Sequence, residues 1–248
     1  MRIAAIIPAR YASTRFPGKP LVDIGGKSMV MHVWERVKRA QGIARVVVAT
    51  DDERIYNHVK EHDGDVLMTS PLHESGTQRV AEAARLLADE LQPFDGIINV
   101  QGDEPFINPA QVEEVARLLS HSEVLIASLM KKIESEAELF NPNVVKVVTD
   151  SKGWALYFTR QAIPYVRGSE PKIWLSKNEY FKHIGIYGYK TFVLHNIARL
   201  ETPTLSQCES LEQLTWLYYG YKIRMGLTSF ESVAIDSPED LSKLINKQ

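Results

Sequence analysis

The feature that most constrains the fold of this sequence is the alternation, in its N-terminal half, of short apolar runs with segments of helical periodicity. Apolar, β-branched runs predict strands at residues 3–8, 45–50, 65–69 and 96–100. Between the first two runs, Met29, Val33 and Val37 fall on one face of a predicted helix. Continuous apolar strands are buried on both faces. We therefore expect a three-layer α/β fold with a mostly parallel sheet flanked by helices.

The remaining predicted elements complete this pattern. Further helices are predicted at 54–61 and 80–91, and the residues Asn108, Pro109 and Gln111 are typical of a helix start. The second half predicts strands at 144–149, 155–159, 185–189, 222–227 and 233–235. It predicts helices at 191–200, at 210–219 and from residue 237, and a loop at 165–177. Ligands of such sheets bind at the carboxyl ends of the strands, which is where candidate residues are sought.

Composition excludes several classes of function. The 248 residues are 44% hydrophobic, which is enough for a sizeable core. The formal net charge of −2 gives no overall basic field, so we expect no binding to nucleic acid or to an anionic membrane. A single cysteine, Cys208, excludes a disulfide framework and fits a reducing compartment.

The beginning of the chain resembles a secretion signal only superficially. The apolar run after Arg2 is short and Pro8 ends it, so we predict no signal peptide. No segment approaches the roughly 18 apolar residues of a membrane span. We expect a cytoplasmic protein.

The segment that follows the first predicted strand carries three cations. Arg10, Arg15 and Lys19 lie in a stretch whose backbone is restricted by Pro8, Pro17 and Pro20 and shaped by a glycine at position 18. Cations and backbone N–H groups on a stiff loop can cradle a nucleoside triphosphate. A solvated basic loop is the alternative interpretation.

Acidic residues follow two of the apolar runs. Asp103 and Glu104 come just after the fourth strand, and Asp236 follows the run at 233–235. Carboxylates of this kind suit Mg²⁺, which is held by one or two of them together with substrate phosphates. Each Asp can equally be a turn residue.

Familiar phosphate and hydrolase motifs are absent from the sequence. Gly26-Lys27-Ser28 lacks the glycine that a P-loop needs at position 21, which is Leu21. No G-x-G-x-x-G follows a strand, and no G-x-S-x-G or H-E-x-x-H occurs.

One family resemblance extends over nearly the whole chain. The segment IPARYASTRFPGKPL at 7–21 resembles the signature of the 3-deoxy-manno-octulosonate cytidylyltransferases. Further blocks similar to this family follow in the family's order at 75–79, 99–105, 140–143, 155–160, 182–189, 210–214 and 236–241.

The resemblance implies a nucleotide-diphospho-sugar transferase-like fold, a CTP donor, 3-deoxy-manno-octulosonate (Kdo) as acceptor and a Mg²⁺ cofactor. It implies that Arg10 and Lys19 are catalytic. It implies a nucleotide site formed by Ala9, Arg10, Arg15, Lys19, Ser75, Thr77, Arg79, Gln101 and Asp103. It implies a sugar-acid site formed by Arg160, His183, Tyr187, Glu212 and Gln213, and magnesium ligands at Asp103 and Asp236.

The resemblance also implies a single domain over 1–248. It implies a nucleotide-binding half at about 1–125, a sugar-binding and dimerisation part in the C-terminal half, and a homodimer. Several positions depart from the family pattern: Glu74, Gln78, Tyr165 and residues 230–232. Two alternatives stay open. One is activation of a related acid, such as an amino-substituted Kdo or a sialic acid, and the other is a nucleotide-binding regulatory module without catalysis.

Overall fold

One mixed sheet runs through the computed structural model, which describes residues 1–12, 16–88, 92–232, 234–235 and 237–245. Its described strands are β1 (Ile3–Ala9), β2 (Arg45–Thr50), β3 (Val66–Met68), β4 (Gly96–Asn99), β5 (Ile126–Lys132), β6 (Lys146–Thr149), β7 (Ala155–Thr159), β8 (Phe181–Lys190) and β9 (Ile223–Leu227). Their main path follows the order β3-β2-β1-β4-β8-β5-β9. Only β8 runs against the others on this path, because it pairs antiparallel with both β4 and β5. The prediction of a mostly parallel sheet is confirmed.

Helices cover both faces of this sheet. They are α1 (Met29–Lys38), α2 (Glu53–Glu61), α3 (Gly76–Ala88), α4 (Pro109–Leu119), α5 (Glu136–Leu139), α6 (Trp174–Lys177), α7 (Thr191–Ile197), α8 (Thr204–Glu209), α9 (Gln213–Tyr218) and α10 (Pro238–Ile245). Ile7 of β1 belongs to one core cluster with Val33 of α1, whereas Ile6 belongs to a second cluster with Val80 of α3. The alternation of side chains along β1 therefore produces the predicted three layers. No helix in the described ranges is long and apolar enough to cross a membrane.

Several predicted elements appear with bounds within two residues of those expected. Strands β2 and β7 have the predicted limits, and β1, β3 and β4 differ from the prediction by one or two residues at an end. Asn108 caps α4 as expected: its side chain accepts from Ala110 N, and Gln111 completes a capping box. Local signals decide these elements, because a cap or an apolar run needs only neighbouring residues to act.

Other elements differ from the prediction. Strand β5 went unassigned because its Ala, Leu, Met and Lys residues favour helix locally, and its pairing with β8 and β9 overrides that preference. The helix expected at 210–219 is shorter and appears as α9, because Ser210 has a φ of 50° and ends a separate helix, α8, that was not predicted. Ala234 and Ile235 are not in a strand, and the loop expected at 165–177 contains a 3₁₀ turn (Pro171–Ile173) and α6.

We predict that Asn108→Ala lowers the free energy of unfolding by about 1 kcal/mol, because it removes the side-chain acceptor for the first turn of α4. Urea unfolding followed by circular dichroism measures the change. Asn196→Ala, at an exposed position of α7, is the matched control and should leave the unfolding midpoint unchanged. Equal midpoints for the two variants would show that the cap contributes nothing.

Candidate active site

A cavity of about 410 Å³ opens at the carboxyl ends of β1 and β4, and we call it the first cavity. It is lined by Pro8, Ala9, Arg10, Ala12, Lys19, Pro20, Gly76, Gln101, Gly102 and Asp103. The two strand ends approach closely here, since a β-carbon at Gly102 would lie 2.6 Å from the carbonyl oxygen of Pro8. Glycine is the residue that permits this approach. The fold therefore joins the cationic loop and the acidic turn in one place.

Lys19 and Asp103 form an ion pair in the first cavity. Lys19 begins a short 3₁₀ helix (Lys19–Leu21) after Gly18, whose φ of 73° suits glycine. Its Nζ lies 2.8 Å from Oδ2 of Asp103, and both side chains keep some exposed surface. A cation and a carboxylate are thus held at one position where an anionic ligand can reach them.

The half-buried Arg10 is held by a backbone carbonyl. Its guanidinium donates a hydrogen bond to the carbonyl oxygen of His73, in the loop that precedes α3. Burial lowers the pKa of Arg10, the nearby charge of Arg79 lowers it further, and Asp51 raises it. Arginine nevertheless stays protonated, so the first cavity keeps this positive charge.

A second cavity, of about 400 Å³, lies on the other side of the Ser75–Thr77 turn. Ser75 and Glu212 are in its lining, together with residues of α7, α8 and α9. The side chain of Thr77 donates to Oε2 of Glu212 over 2.7 Å. Burial raises the pKa of Glu212, and hydrogen bonds from Thr77 and Ser75 act in the opposite direction. Ser75 lines the second cavity and Gly76 lines the first, so the two cavities adjoin at the start of α3.

The structure corrects the expected position of Arg79. Its side chain has no exposed surface and does not belong to the described lining of the first cavity. The guanidinium donates to Oδ2 of Asp51 over 2.7 Å and to Oγ1 of Thr69 over 2.6 Å. A buried arginine needs such partners because an unpaired buried charge is very costly. Arg79 thus supports the ends of β2 and β3 from within.

His183 and Tyr187 lie side by side on β8, with ring centroids 5.2 Å apart. Oγ of Ser128 on β5 lies 2.9 Å from Nε2 of His183. Burial lowers the pKa of His183 to about 3 although part of the residue remains exposed, so its ring is neutral at physiological pH. Tyr187 also packs edge-on against Trp216, a lining residue of the second cavity.

Arg160 lies at the end of β7 and is bound to a backbone carbonyl at the end of α8 and to another in the loop after α5. Its guanidinium donates to the oxygens of Glu209 (2.7 Å) and Pro142 (3.1 Å), and its backbone N–H donates to the Glu209 carboxylate. Gln213 is buried at the start of α9, directly after Glu212. The predicted sugar-side residues therefore cluster around β8 and the α8–α9 junction. Their role in binding stays a prediction.

Comparison with known proteins agrees with this arrangement. A model of the cytidylyltransferase family matches residues 4–223. The chain belongs to this family. The 3-deoxy-manno-octulosonate cytidylyltransferase of Cytophaga hutchinsonii is 51% identical over 98% of this chain and 96% of the relative. The protein of the same name from Parabacteroides distasonis is 47% identical over 99% of this chain and 97% of the relative.

A solved structure has the same fold as this cytidylyltransferase. It is a CMP:2-keto-3-deoxy-manno-octonic acid synthetase in complex with CTP, with a TM-score of 0.91 and 40% identity. The match covers 100% of this chain and 98% of that one. A match of this length includes both cavities and all the strands that border them.

Two residues predicted to belong to the site of this cytidylyltransferase, Arg15 and Asp236, lie outside the described residues. Ile235, which precedes Asp236 in sequence, donates its N–H to the carbonyl oxygen of Asp103 over 2.9 Å. Within the described ranges no three His, Cys, Asp or Glu side chains form a metal cage. The hard, partly exposed carboxylate of Asp103 nevertheless fits Mg²⁺, because this ion commonly takes only one or two protein carboxylates.

Two glycines of the site were not among the predicted site residues, and the burial of Glu104 was not predicted. Gly76 and Gly102 line the first cavity, and only the tight approach at Gly102 shows why glycine stands there. Glu104 is buried beside Asp103: burial raises its pKa to about 7, against the effect of a hydrogen bond from Ser232. No local pattern marks Glu104 as buried, since its neighbour Asp103 faces the cavity and both follow the same strand.

We predict that the neutral state of His183 makes stability depend on pH. The unfolded chain gains a proton near pH 6.5 and the folded chain only near pH 3, so falling pH favours the unfolded state between these values. The free energy of unfolding should therefore fall by about 2 kcal/mol between pH 7 and pH 5 through this residue alone. His183→Gln should remove that part of the loss in denaturant titrations at several pH values. Parallel curves for the wild type and the variant would contradict the prediction.

Proposed function

We propose that this protein transfers CMP from CTP to 3-deoxy-manno-octulosonate, forming CMP-Kdo and diphosphate for lipopolysaccharide biosynthesis. The observation that carries this proposal is the convergence of Arg10, Lys19 and Asp103 in a cavity that adjoins a second one at Ser75. The relatives named above support the choice of both substrates. The proposal assigns CTP to the first cavity and the sugar acid to the side of Glu212 and β8.

In the proposed reaction the anomeric 2-hydroxyl oxygen of the sugar acid attacks the α-phosphorus of CTP. The bond from this phosphorus to the bridging oxygen breaks in line with the attack, diphosphate leaves with the electron pair, and the hydroxyl proton is released. Arg10 and Lys19 bind phosphate oxygens and stabilise the charge that builds up on the α-phosphate. Holding both substrates in one orientation supplies much of the remaining rate enhancement.

We propose Mg²⁺ as the cofactor, with Asp103 and Asp236 as its protein ligands. When bound, this ion neutralises phosphate charge and lowers the pKa of the attacking hydroxyl. The carboxylate of Asp103 contacts Nζ of Lys19, so it would hold the metal beside a cation of the protein. The backbone N–H of Ile235 donates to the carbonyl oxygen of Asp103, which ties residue 235 to the turn after β4.

An amino-substituted sugar acid is a second candidate acceptor. Glu74 is exposed and lines the second cavity. A carboxylate at this position would attract an ammonium group on the acceptor.

A glycosyltransferase would be expected to use an Asp-x-Asp metal motif at its donor site, and one such tripeptide occurs at Asp63-Gly64-Asp65. It precedes β3, so it lies at the amino end of that strand, whereas the first cavity lies at the carboxyl ends of the parallel β1 and β4. Both carboxylate oxygens of Asp65 accept from Arg45. This arrangement disfavours a metal role for the tripeptide.

We propose a cytoplasmic homodimer. Phe192 at the start of α7 is 61% exposed, which supports an apolar contact there, whereas its neighbours Val193 and Ile186 are core residues. Light scattering coupled to size-exclusion chromatography would report twice the mass of the chain if the proposal holds, and the mass of a single chain if it does not.

The reaction is tested by diphosphate release from CTP and Mg²⁺ with and without Kdo, alongside UTP and ATP and alongside amino-substituted Kdo and a sialic acid. Release that requires CTP and Kdo supports the proposal. Release only with another acid would replace the acceptor and keep the mechanism. CTP binding without release with any acid would support the regulatory module instead.

Loss of either cation should impair turnover strongly. We predict that Arg10→Ala and Lys19→Ala each lower kcat about a hundredfold or more, because each removes a cation from the developing charge. Steady-state kinetics at saturating substrates measures the effect. Lys27→Ala is the matched control: Lys27 forms an ion pair with Glu35 at 2.5 Å and is not in the described lining of either cavity. Near-normal turnover in a folded Arg10 or Lys19 variant would exclude that residue from catalysis.

Asp103→Asn should weaken the binding of the metal. We predict that the Mg²⁺ concentration for half-maximal activity rises about tenfold or more, because an amide oxygen is a poorer ligand than a carboxylate. Direct titration with Mn²⁺, followed by electron paramagnetic resonance in the presence of CTP, should show the same loss. Unchanged titrations in both experiments would make Asp103 a structural residue.

A further inference from the structure

The loop between β3 and α3 supplies the carbonyl group that holds Arg10. The carbonyl oxygen of His73 accepts from the guanidinium, 63 positions away in sequence. A backbone carbonyl can orient a side chain only if its own loop is fixed. What fixes this loop therefore decides where the Arg10 guanidinium points.

Glu82 binds this loop at two points. Its Oε2 atom accepts from the backbone N–H of Ser70 over 2.8 Å and lies 2.5 Å from Nε2 of His73. A carboxylate is only an acceptor, so the ring of His73 donates this hydrogen bond. Glu82 projects from α3, whose residues Val80 and Leu87 are buried in the core. A rigid helix thereby holds both ends of the 70–73 segment.

The part of the loop that follows His73 is hydrogen-bonded to the first turn of α3. The side chain of Ser75 accepts from Gln78 N over 3.2 Å, and Oε1 of Gln78 accepts from Glu74 N over 2.9 Å. This reciprocal arrangement resembles a capping box and gives a physical reason for Gln78, one of the positions that depart from the family pattern. The chain on both sides of the His73 carbonyl is therefore fixed to α3.

Arg10 needs such a support because another cation lies near it. Burial and the charge of Arg79 both disfavour the charged guanidinium, and Asp51 is engaged by Arg79 at 2.7 Å. A fixed carbonyl acceptor restrains the direction of a guanidinium without neutralising its charge. The cation thus remains available to a phosphate group in the first cavity.

We propose that Glu82 is a positioning residue for Arg10, acting through the loop at Ser70 and His73. Glu82 is not in the described lining of the first cavity, and its effect passes through the carbonyl oxygen of His73. This inference rests on the proposed function, because it takes Arg10 to act on the α-phosphate.

The test compares kcat and the KM for CTP in Glu82→Ala, Glu82→Gln and His73→Phe. Loss of a hydrogen-bonded carboxylate should lower kcat/KM for CTP about tenfold in Glu82→Ala. His73→Phe keeps the carbonyl and loses the ring nitrogen, and it should show a loss of similar size. Glu82→Gln keeps an acceptor for Ser70 N and should recover most of the activity. The matched control is Glu114→Ala, on α4, which removes a glutamate of similar exposure that is paired with Arg117 at 2.7 Å.

The decisive measurement repeats Glu82→Ala in an Arg10→Ala background. If Glu82 acts through Arg10, adding Glu82→Ala to the Arg10→Ala variant should change kcat/KM for CTP less than twofold. An undiminished tenfold loss in that background would overturn the inference, as would activity of Glu82→Ala and His73→Phe equal to that of the control. If Glu82→Ala does not fold, as judged by thermal unfolding, His73→Phe carries the same double-substitution test.

Different results would contradict the positioning role of Glu82, the catalytic role of Arg10 and the proposed function. A large loss in Arg10→Ala with no loss in the Glu82 and His73 variants overturns the positioning role alone. Unchanged activity in Arg10→Ala overturns the role of Arg10 and the inference with it. Absence of transfer from CTP in the unmodified protein overturns the proposed function itself.

Discussion

No side chain from Ala4 to Ile7 of β1 has any exposed surface, since helices pack on both faces of this strand. Burying a polar group there without a partner would cost several kcal/mol, by rough estimate. Functional groups are thus excluded from the strand itself and appear where it ends, at Arg10 and Lys19. The neighbouring β4 ends at the same edge, and Gly102 lets its turn approach the carbonyl of Pro8. The ion pair of Lys19 with Asp103 depends on this packing.

The reversed strand β8 lies between β4 and β5 in the sheet. It pairs with β4 on one side and with β5 on the other, so that Tyr187 lies opposite both Asn99 and Ser128. A shift in register between Ser128 and Leu129 follows, and the side chain of Ser128 binds His183. One strand therefore carries two of the predicted sugar-side residues, His183 and Tyr187, beside β4.

Two buried ionisable groups near these cavities are held by specific partners. Arg79 is paired with Asp51, and Glu212 accepts from Thr77. His183 differs from these charged groups, because burial lowers its pKa and keeps its ring neutral. Low local polarity strengthens each of these interactions and makes each group sensitive to the loss of its partner. In the same way, the loop at His73 is sensitive to the loss of its hydrogen-bond partner Glu82.

The sequence by itself determined the three layers, the N-terminal strands, the cap of α4, and the placement of Arg10, Lys19 and Asp103 after buried strands. Apolar period, capping residues and strand ends are local properties, so neighbouring residues suffice to specify them. Only the tertiary structure decided that β5 is a strand, that β8 is reversed, that Arg79 is buried, and that Glu82 reaches Ser70 and His73. These features depend on pairing and burial between segments distant along the chain. The residues of β5 even favour helix locally, and the pairing of this strand with β8 and β9 overrides that preference.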